Sequence, residues 1–246
     1  MLGSRLRDKG DHTLSERLKW GFIDIIVVYL GVMAVSVFTG FLFRNYNSGL
    51  EKGELGYFLV AFLVQFLATV GLVFLVTIFY HHGGWRDLGI NRPRPGTLGR
   101  YGIMGGIVLI LMVFVMGYVL KYLQPEIQPQ YYEEMLRSVS RVPDFFAILI
   151  AGSVLAPLSE EIFYRGMIYP VFRKHMGPVW GAILAGLVFG LAHWDLWRTI
   201  PLAIGGAGLC YIYEKSGSIW VSVLAHGVWN GLLSIIIYLS LSPGML

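Results

Sequence analysis

Three short patterns place ionisable side chains inside long apolar stretches. Glu160-Glu161-x-x-x-Arg165 is followed by Phe189-x-x-x-His193 and then by His226-x-x-x-Asn230. Glu161 and Arg165 are four residues apart, so on a helix they share a face and can pair. Glu160 is turned from Glu161 by about 100°, so one guanidinium cannot serve both carboxylates in the same way. The second carboxylate is then free to project into a cavity and take a proton from water. His226 and Asn230 also share a face, either as an interhelical hydrogen-bond clip or as donors to a developing oxyanion. His193 reads equally as a polar group near an interface or as a partner in proton transfer, and Phe189 alone as packing. A charge within an apolar span costs about 2.5–3.5 kcal/mol by insertion scales, so such residues usually face a bundle interior and have a task. The bland reading of the Glu-Arg pair is an ion-pair knot pinning two helices.

The elements that must position these groups are membrane helices. Of 246 residues, 56% are hydrophobic and only 14% charged, and the mean hydropathy is +0.64. A soluble domain carries nearer about 25% charged residues, so a nucleic-acid-binding domain, a disordered chain and a small disulfide scaffold are excluded. Apolar runs of spanning length cover Trp20–Phe43, Tyr57–Tyr80, Tyr101–Leu123, Phe145–Tyr169, Val179–His193, Thr199–Tyr213 and Ile219–Leu241. The reading is all-α: a polytopic bundle of seven to eight membrane helices enclosing a cavity. The eighth arises if Pro157 splits the fourth span. Arg5, Arg7, Lys9, Arg17 and Lys19 precede the first span, and Arg86, Arg92, Arg94 and Arg100 follow the second. Arg173 and Lys174 return to the same side. By the positive-inside rule the N-terminus is cytoplasmic, and the loop with Arg44 and Lys52 lies opposite.

One membrane domain covers 1–246, and the polar motifs fall only in its second half. The first run reads as a signal anchor, not a cleaved leader. The longest polar stretch, Gln124–Val142, reads as an interfacial segment with Tyr131 and Tyr132. Asp24 is expected to reach water, His81 and His82 to form a solvated loop beside Gly83-Gly84, and His12 and His175 to be interfacial or exposed. Cys210, the single cysteine, excludes an intrachain disulfide. Neither it nor Ser159 has the surroundings of a nucleophile. Glycines in the fifth and sixth spans, among them Gly186, Gly190 and Gly206, permit close helix approach.

Taken together and in order, the three motifs resemble the CPBP family, also called the Abi or type II CAAX prenyl endopeptidase family, of intramembrane glutamic proteases. The resemblance covers a core at 144–239 and leaves 1–143 as accessory spans, apart from the loop Trp85–Pro93. Tyr164 stands where phenylalanine is commoner. The resemblance implies an intramembrane peptidase whose cavity opens toward the cytosol. Glu160 and His193 would activate the attacking water, Glu161 with Arg165 would support the site, and His226 with Asn230 would bind the oxyanion. No cofactor is expected. Zinc is the lesser alternative, because Glu and His are ordinary zinc ligands although His-Glu-x-x-His is absent. The implied partners are the bilayer and a membrane-associated substrate, either a prenylated CAAX protein or a peptide precursor, and no nucleic acid. A prokaryotic plasma membrane is the expected location. The competing readings are a catalytically silent scaffold and a transporter-like binding protein, which would more often show internal repeats.

Overall fold

The computed structural model describes residues 18–45, 54–139 and 141–241. Arg5, Arg7, Lys9, His12, Arg17 and Lys52 therefore lie outside the described residues. Seven helices and no strand occur among those described: α1 (Phe22–Asn45), α2 (Leu55–Tyr80), α3 (Leu98–Leu123), α4 (Tyr131–Ser138), α5 (Val142–Leu191), α6 (Leu196–Ser216) and α7 (Ile219–Leu241). The protein is an all-α helical bundle. Five of the helices, α1, α2, α3, α5 and α7, are long and apolar enough to cross a membrane. Apolar side chains such as Ile23, Leu67 and Val115 stand exposed on their outer faces. That pattern suits a lipid solvent and not water. The chain is an integral membrane protein.

Local features set where the helices run and break. The fourth and fifth runs are two helical limbs of α5, joined at Gly177. Pro157 does not split it, because it follows a π-helical turn, Ala151–Leu155, and opens the α-helical stretch Ala156–Glu161. The break comes instead at Gly177, whose φ of 76° is a left-handed conformation that a Cβ would strain. The sixth run is longer than its apolar core. Asp195 caps α6 by accepting a hydrogen bond from the Arg198 backbone N–H, and Gly217 ends it at φ 68°.

The first limb of α5 is the central post. Residues 161–169 are all buried, as befits a stretch surrounded by helices on every side. The Trp20 indole donates to the Met167 carbonyl at 3.1 Å. The second limb packs on α6 at backbone contact. A Cβ added at Gly186 would lie 2.3 Å from the Ala203 carbonyl, and one at Gly190 would lie 2.5 Å from that of Thr199. The loop 81–97 wedges Leu88, fully buried, against Gly166 and Ile219. It also caps the turn into α7, since the Ile219 N–H donates to the Gly89 carbonyl at 2.9 Å.

Candidate active site

A π-helical turn, Ile162–Ile168, follows Glu161 immediately, so irregular turns flank the Ala156–Glu161 stretch on both sides. Such widened turns are frequent at functional sites because they re-aim side chains. Here they separate two neighbouring carboxylates. Glu161 and Arg165 have no exposed surface, and Arg165 Nη1 donates to Glu161 Oε1 at 2.6 Å. Arg165 Nη2 reaches the Gly206 carbonyl on α6 at 2.8 Å, and the guanidinium lies 5.0 Å from the Phe189 ring centroid. Phe189 is thus more than packing. It meets Arg165 by its π face and lies edge-on to His193 and His226, with centroids 4.9 and 5.7 Å away.

Glu161 Oε1 also accepts from His226 Nδ1 at 2.8 Å, which fixes that imidazole. His226 Nε2 then lies 3.7 Å from Glu160 Oε2. That exceeds a hydrogen bond, so the Glu160 carboxylate keeps its acceptor capacity. Glu161 and Arg165 carry unpartnered buried atoms, Oε2 and Nε.

Glu160 is the exposed member, at 31%. It lines a cavity of about 880 Å³ together with His193, Arg198, Trp229 and Asn230. His193 Nδ1 donates to the Phe189 carbonyl at 2.8 Å. A carbonyl only accepts, so this bond places the proton on Nδ1 and leaves Nε2 as the acceptor in the neutral ring. Glu160 and His193 share the cavity wall without a direct hydrogen bond. Asn230 Nδ2 donates to the Gly152 carbonyl at 2.9 Å, clipping α7 to α5. The pair expected on one face of α7 is therefore divided: His226 serves the buried ion pair, and Asn230 reaches the cavity.

The opposite wall comes from the polar stretch that read as interfacial. Gln130, Tyr132 and Glu133 line the cavity, as do Phe62 of α2 and Phe114 of α3, so both sides of the 143/144 boundary build it. The half-buried Tyr132 hydroxyl shares a 2.9 Å hydrogen bond with Ser234 and lies 3.3 Å from the Ile148 carbonyl. Burial raises the Tyr132 phenol, with the Ser234 bond opposing it. Arg198 ties this wall to α6, donating to the Gln128 carbonyl at 2.8 Å and pairing with Asp195. Burial raises the Asp195 carboxyl, but the Arg198 backbone N–H and guanidinium outweigh it and hold it below the ordinary carboxylate range.

Two expectations away from the cavity are corrected. Asp24 and His81 are not left to solvent: Nε2 of His81 lies 2.9 Å from Asp24 Oδ1, joining α1 to the end of α2. Asp24 also accepts from the Gly21 N–H at 2.8 Å. His82 is exposed, as is His175, which stacks on Phe22. Ser159 spends its hydroxyl on the Leu155 and Ala156 carbonyls, and Cys210 is buried.

Glu and His side chains are ordinary zinc ligands. Among the described residues no group of three or more His, Cys, Asp or Glu side chains converges on one point. His193 and His226 each engage Nδ1, with the Phe189 carbonyl and Glu161 Oε1 respectively, which leaves both Nε2 atoms and the Glu160 carboxylate without a hydrogen-bond partner among the described residues.

Comparison with known proteins adds a family. The model described as Type II CAAX prenyl endopeptidase Rce1-like matches residues 142–232. YdiL of Bacillus subtilis, a membrane protein assigned as a peptidase, is 24% identical over 96 residues, 39% of this chain and 38% of its own. YaiF of Lactococcus lactis is 33% identical over 88 residues, 34% of this chain and 38% of its own. An uncharacterised 24.3 kDa protein of Escherichia coli is 27% identical over 160 residues, 63% of this chain and 72% of its own. The chain thus spans about two fifths of the length of the first two relatives. No solved structure matches. The segment matched by the family model, residues 142–232, carries all three motifs and is similar to the Rce1-like type II CAAX prenyl endopeptidases.

Proposed function

We propose that this protein is an intramembrane endopeptidase that hydrolyses a peptide bond of a membrane-associated protein, a CAAX-type prenylated protein or a peptide precursor. The observation that carries the reading is the division of the two carboxylates. Glu161 is sealed in an ion pair, while its neighbour Glu160 faces an 880 Å³ cavity beside His193 and Asn230. In this reading water in the cavity gives a proton to Glu160, with His193 Nε2 as a second acceptor. Its oxygen bonds to the substrate carbonyl carbon, and the C–N bond then breaks as the proton passes to the leaving amine. Asn230 Nδ2 and, when protonated, His226 Nε2 supply the donors for the tetrahedral oxyanion. Glu161 and Arg165 act through His226 by fixing it.

No cofactor enters this scheme. The core at 144–239 supplies the reacting groups, and the spans before it supply much of the opposite wall. The bacterial relatives favour a prokaryotic plasma membrane. The test is cleavage of a panel of prenylated and unprenylated peptides by purified protein, with Glu160→Gln as control. Cleavage by wild type and none by the variant is expected. A panel untouched by both would favour a silent scaffold.

A further inference from the structure

The contacts sort every described loop to one of two ends of the bundle. At one end Phe22 of α1 packs on Phe172, Lys19 donates to the His82 carbonyl, and Asn91 of the loop 81–97 donates to the Gly217 carbonyl at the turn between α6 and α7. At the other end Phe43 meets Tyr57, Phe58 meets Tyr131, Phe145 stacks on Tyr238, and Arg198 reaches Gln128.

The cavity belongs wholly to the second end. Its lining climbs α7 through Trp229, Leu233 and Ile237, away from the turn at Gly217, and finishes among Lys121, Gln124 and Glu133. Neither the loop 81–97 nor the Gly177 break nor the turn at Gly217 contributes to it.

The two ends differ in charge. Arg86, Arg92, Arg94 and Arg100 lie exposed at the first, with Lys174 and Lys215. The sequence adds Arg5, Arg7, Lys9 and Arg17 ahead of α1. At the cavity end the described lysines and arginines are fewer: Arg44, Lys121, Arg137, Arg141 and Arg198. Lysine and arginine in short loops mark the cytoplasmic side of a membrane protein.

We infer that the cavity opens on the extracytoplasmic side, so that its substrate is a polypeptide segment presented at the outer face of the membrane. This is the reverse of the cytosolic opening that the family resemblance implies. It rests on the cavity being the peptide site, and it narrows the substrate class: a protein anchored to the cytosolic leaflet by a prenyl group would sit on the wrong side. Membrane-tethered or exported precursors meet the site from the correct one.

The full chain, with its buried Cys210 as the only native thiol, allows a direct test. Single exposed cysteines replace Gln128 or Glu126 at the cavity end, and Pro95 or Met176 at the other. Intact spheroplasts are then treated with a membrane-impermeant maleimide. Labelling of Gln128→Cys and Glu126→Cys from outside, with Pro95→Cys and Met176→Cys labelled only after permeabilisation, is the expected result. The opposite pattern, or external labelling at both ends, overturns the inference whether or not the protein is a peptidase. A peptide that wild type cleaves in detergent should also be cleaved when added outside sealed right-side-out vesicles. Cleavage that requires permeabilisation overturns the inference. A wild type inactive even in detergent counts against the peptidase reading alone, and labelling still decides the side.

Discussion

Glu160 and Glu161 are one residue apart and live in different solvents. Glu161 has no exposed surface and shares one oxygen between Arg165 and His226, whereas Glu160 faces a cavity and makes no hydrogen bond closer than the 3.7 Å approach to His226. The rotation of about 100° per helical residue is enough to send identical side chains to opposite tasks. A dry carboxylate, with its Arg165 and His226 partners, links three helices, α5, α6 and α7. An unengaged one in a cavity can exchange protons. The buried half is what makes the open half possible, since it fixes His226 and the Phe189 ring beside His193.

Substitutions should therefore separate the two. Glu160→Gln keeps shape and polarity but removes the proton acceptor, so cleavage should fall at least about a hundredfold while the thermal melt in detergent stays within a degree or two of wild type. Near-normal turnover would remove Glu160 from the chemistry. Arg165→Ala should do the reverse first. It strands Glu161 in a buried site, and breaking one side of a buried pair costs about 3–5 kcal/mol. The melt should drop sharply, with activity lost alongside it. An unchanged melting temperature would mean that the pair does not hold the helices. Glu161→Gln, which leaves Arg165 without its counter-charge, should resemble Arg165→Ala and not Glu160→Gln.

The buried half was the more legible in sequence because its geometry is local. A four-residue spacing predicts the Glu161–Arg165 pair, and the small residues of the fifth and sixth runs predict the backbone approach seen at Gly186 and Gly190. The open half depends on partners far apart in the chain. Nothing near Tyr132 signals Ser234, 102 residues on, and nothing near Arg198 signals the Gln128 carbonyl, 70 residues back. A polar stretch with two tyrosines looks interfacial whether or not it walls a cavity. Asp24 and His81, 57 residues apart, escaped for the same reason. Two other features carried local signals: the Gly177-Pro178 dipeptide is a breaker, and Asp195 and Gly217 are ordinary start and stop residues for α6.

A smaller effect is expected at the rim. Asp195 caps α6 and pairs with Arg198, which in turn holds the wall at Gln128. Asp195→Ala should lower stability by about 1 kcal/mol, the usual worth of a cap, and raise KM more than it lowers kcat because it loosens the wall without touching Glu160. The pH sign follows from the depressed carboxyl. Its contribution is complete above the ordinary carboxylate value of about 4 and fades as pH falls through the lower folded-state value. Wild type should therefore lose more stability than Asp195→Ala on acidification below about pH 4. Parallel acid melts would show that the cap is not engaged.

The smallest effect expected is none, and it bears on what activates the water. Glu160 and His193 share the cavity, but His193 spends Nδ1 on a carbonyl and Glu161 spends Oε1 on Arg165 and His226. Among the described residues no three His, Cys, Asp or Glu side chains are gathered on one point, so an ion held by Glu160 and the histidine Nε2 atoms would require them to draw together. Glutamate alone can accept the proton, so dialysis against a strong chelator should leave peptide cleavage unchanged, and metal analysis should find no stoichiometric ion. A bound catalytic zinc would give the opposite record: activity lost on stripping and restored by zinc. That outcome would sink the glutamate-activated water, and a shift of the thermal melt on adding zinc would report binding separately from turnover.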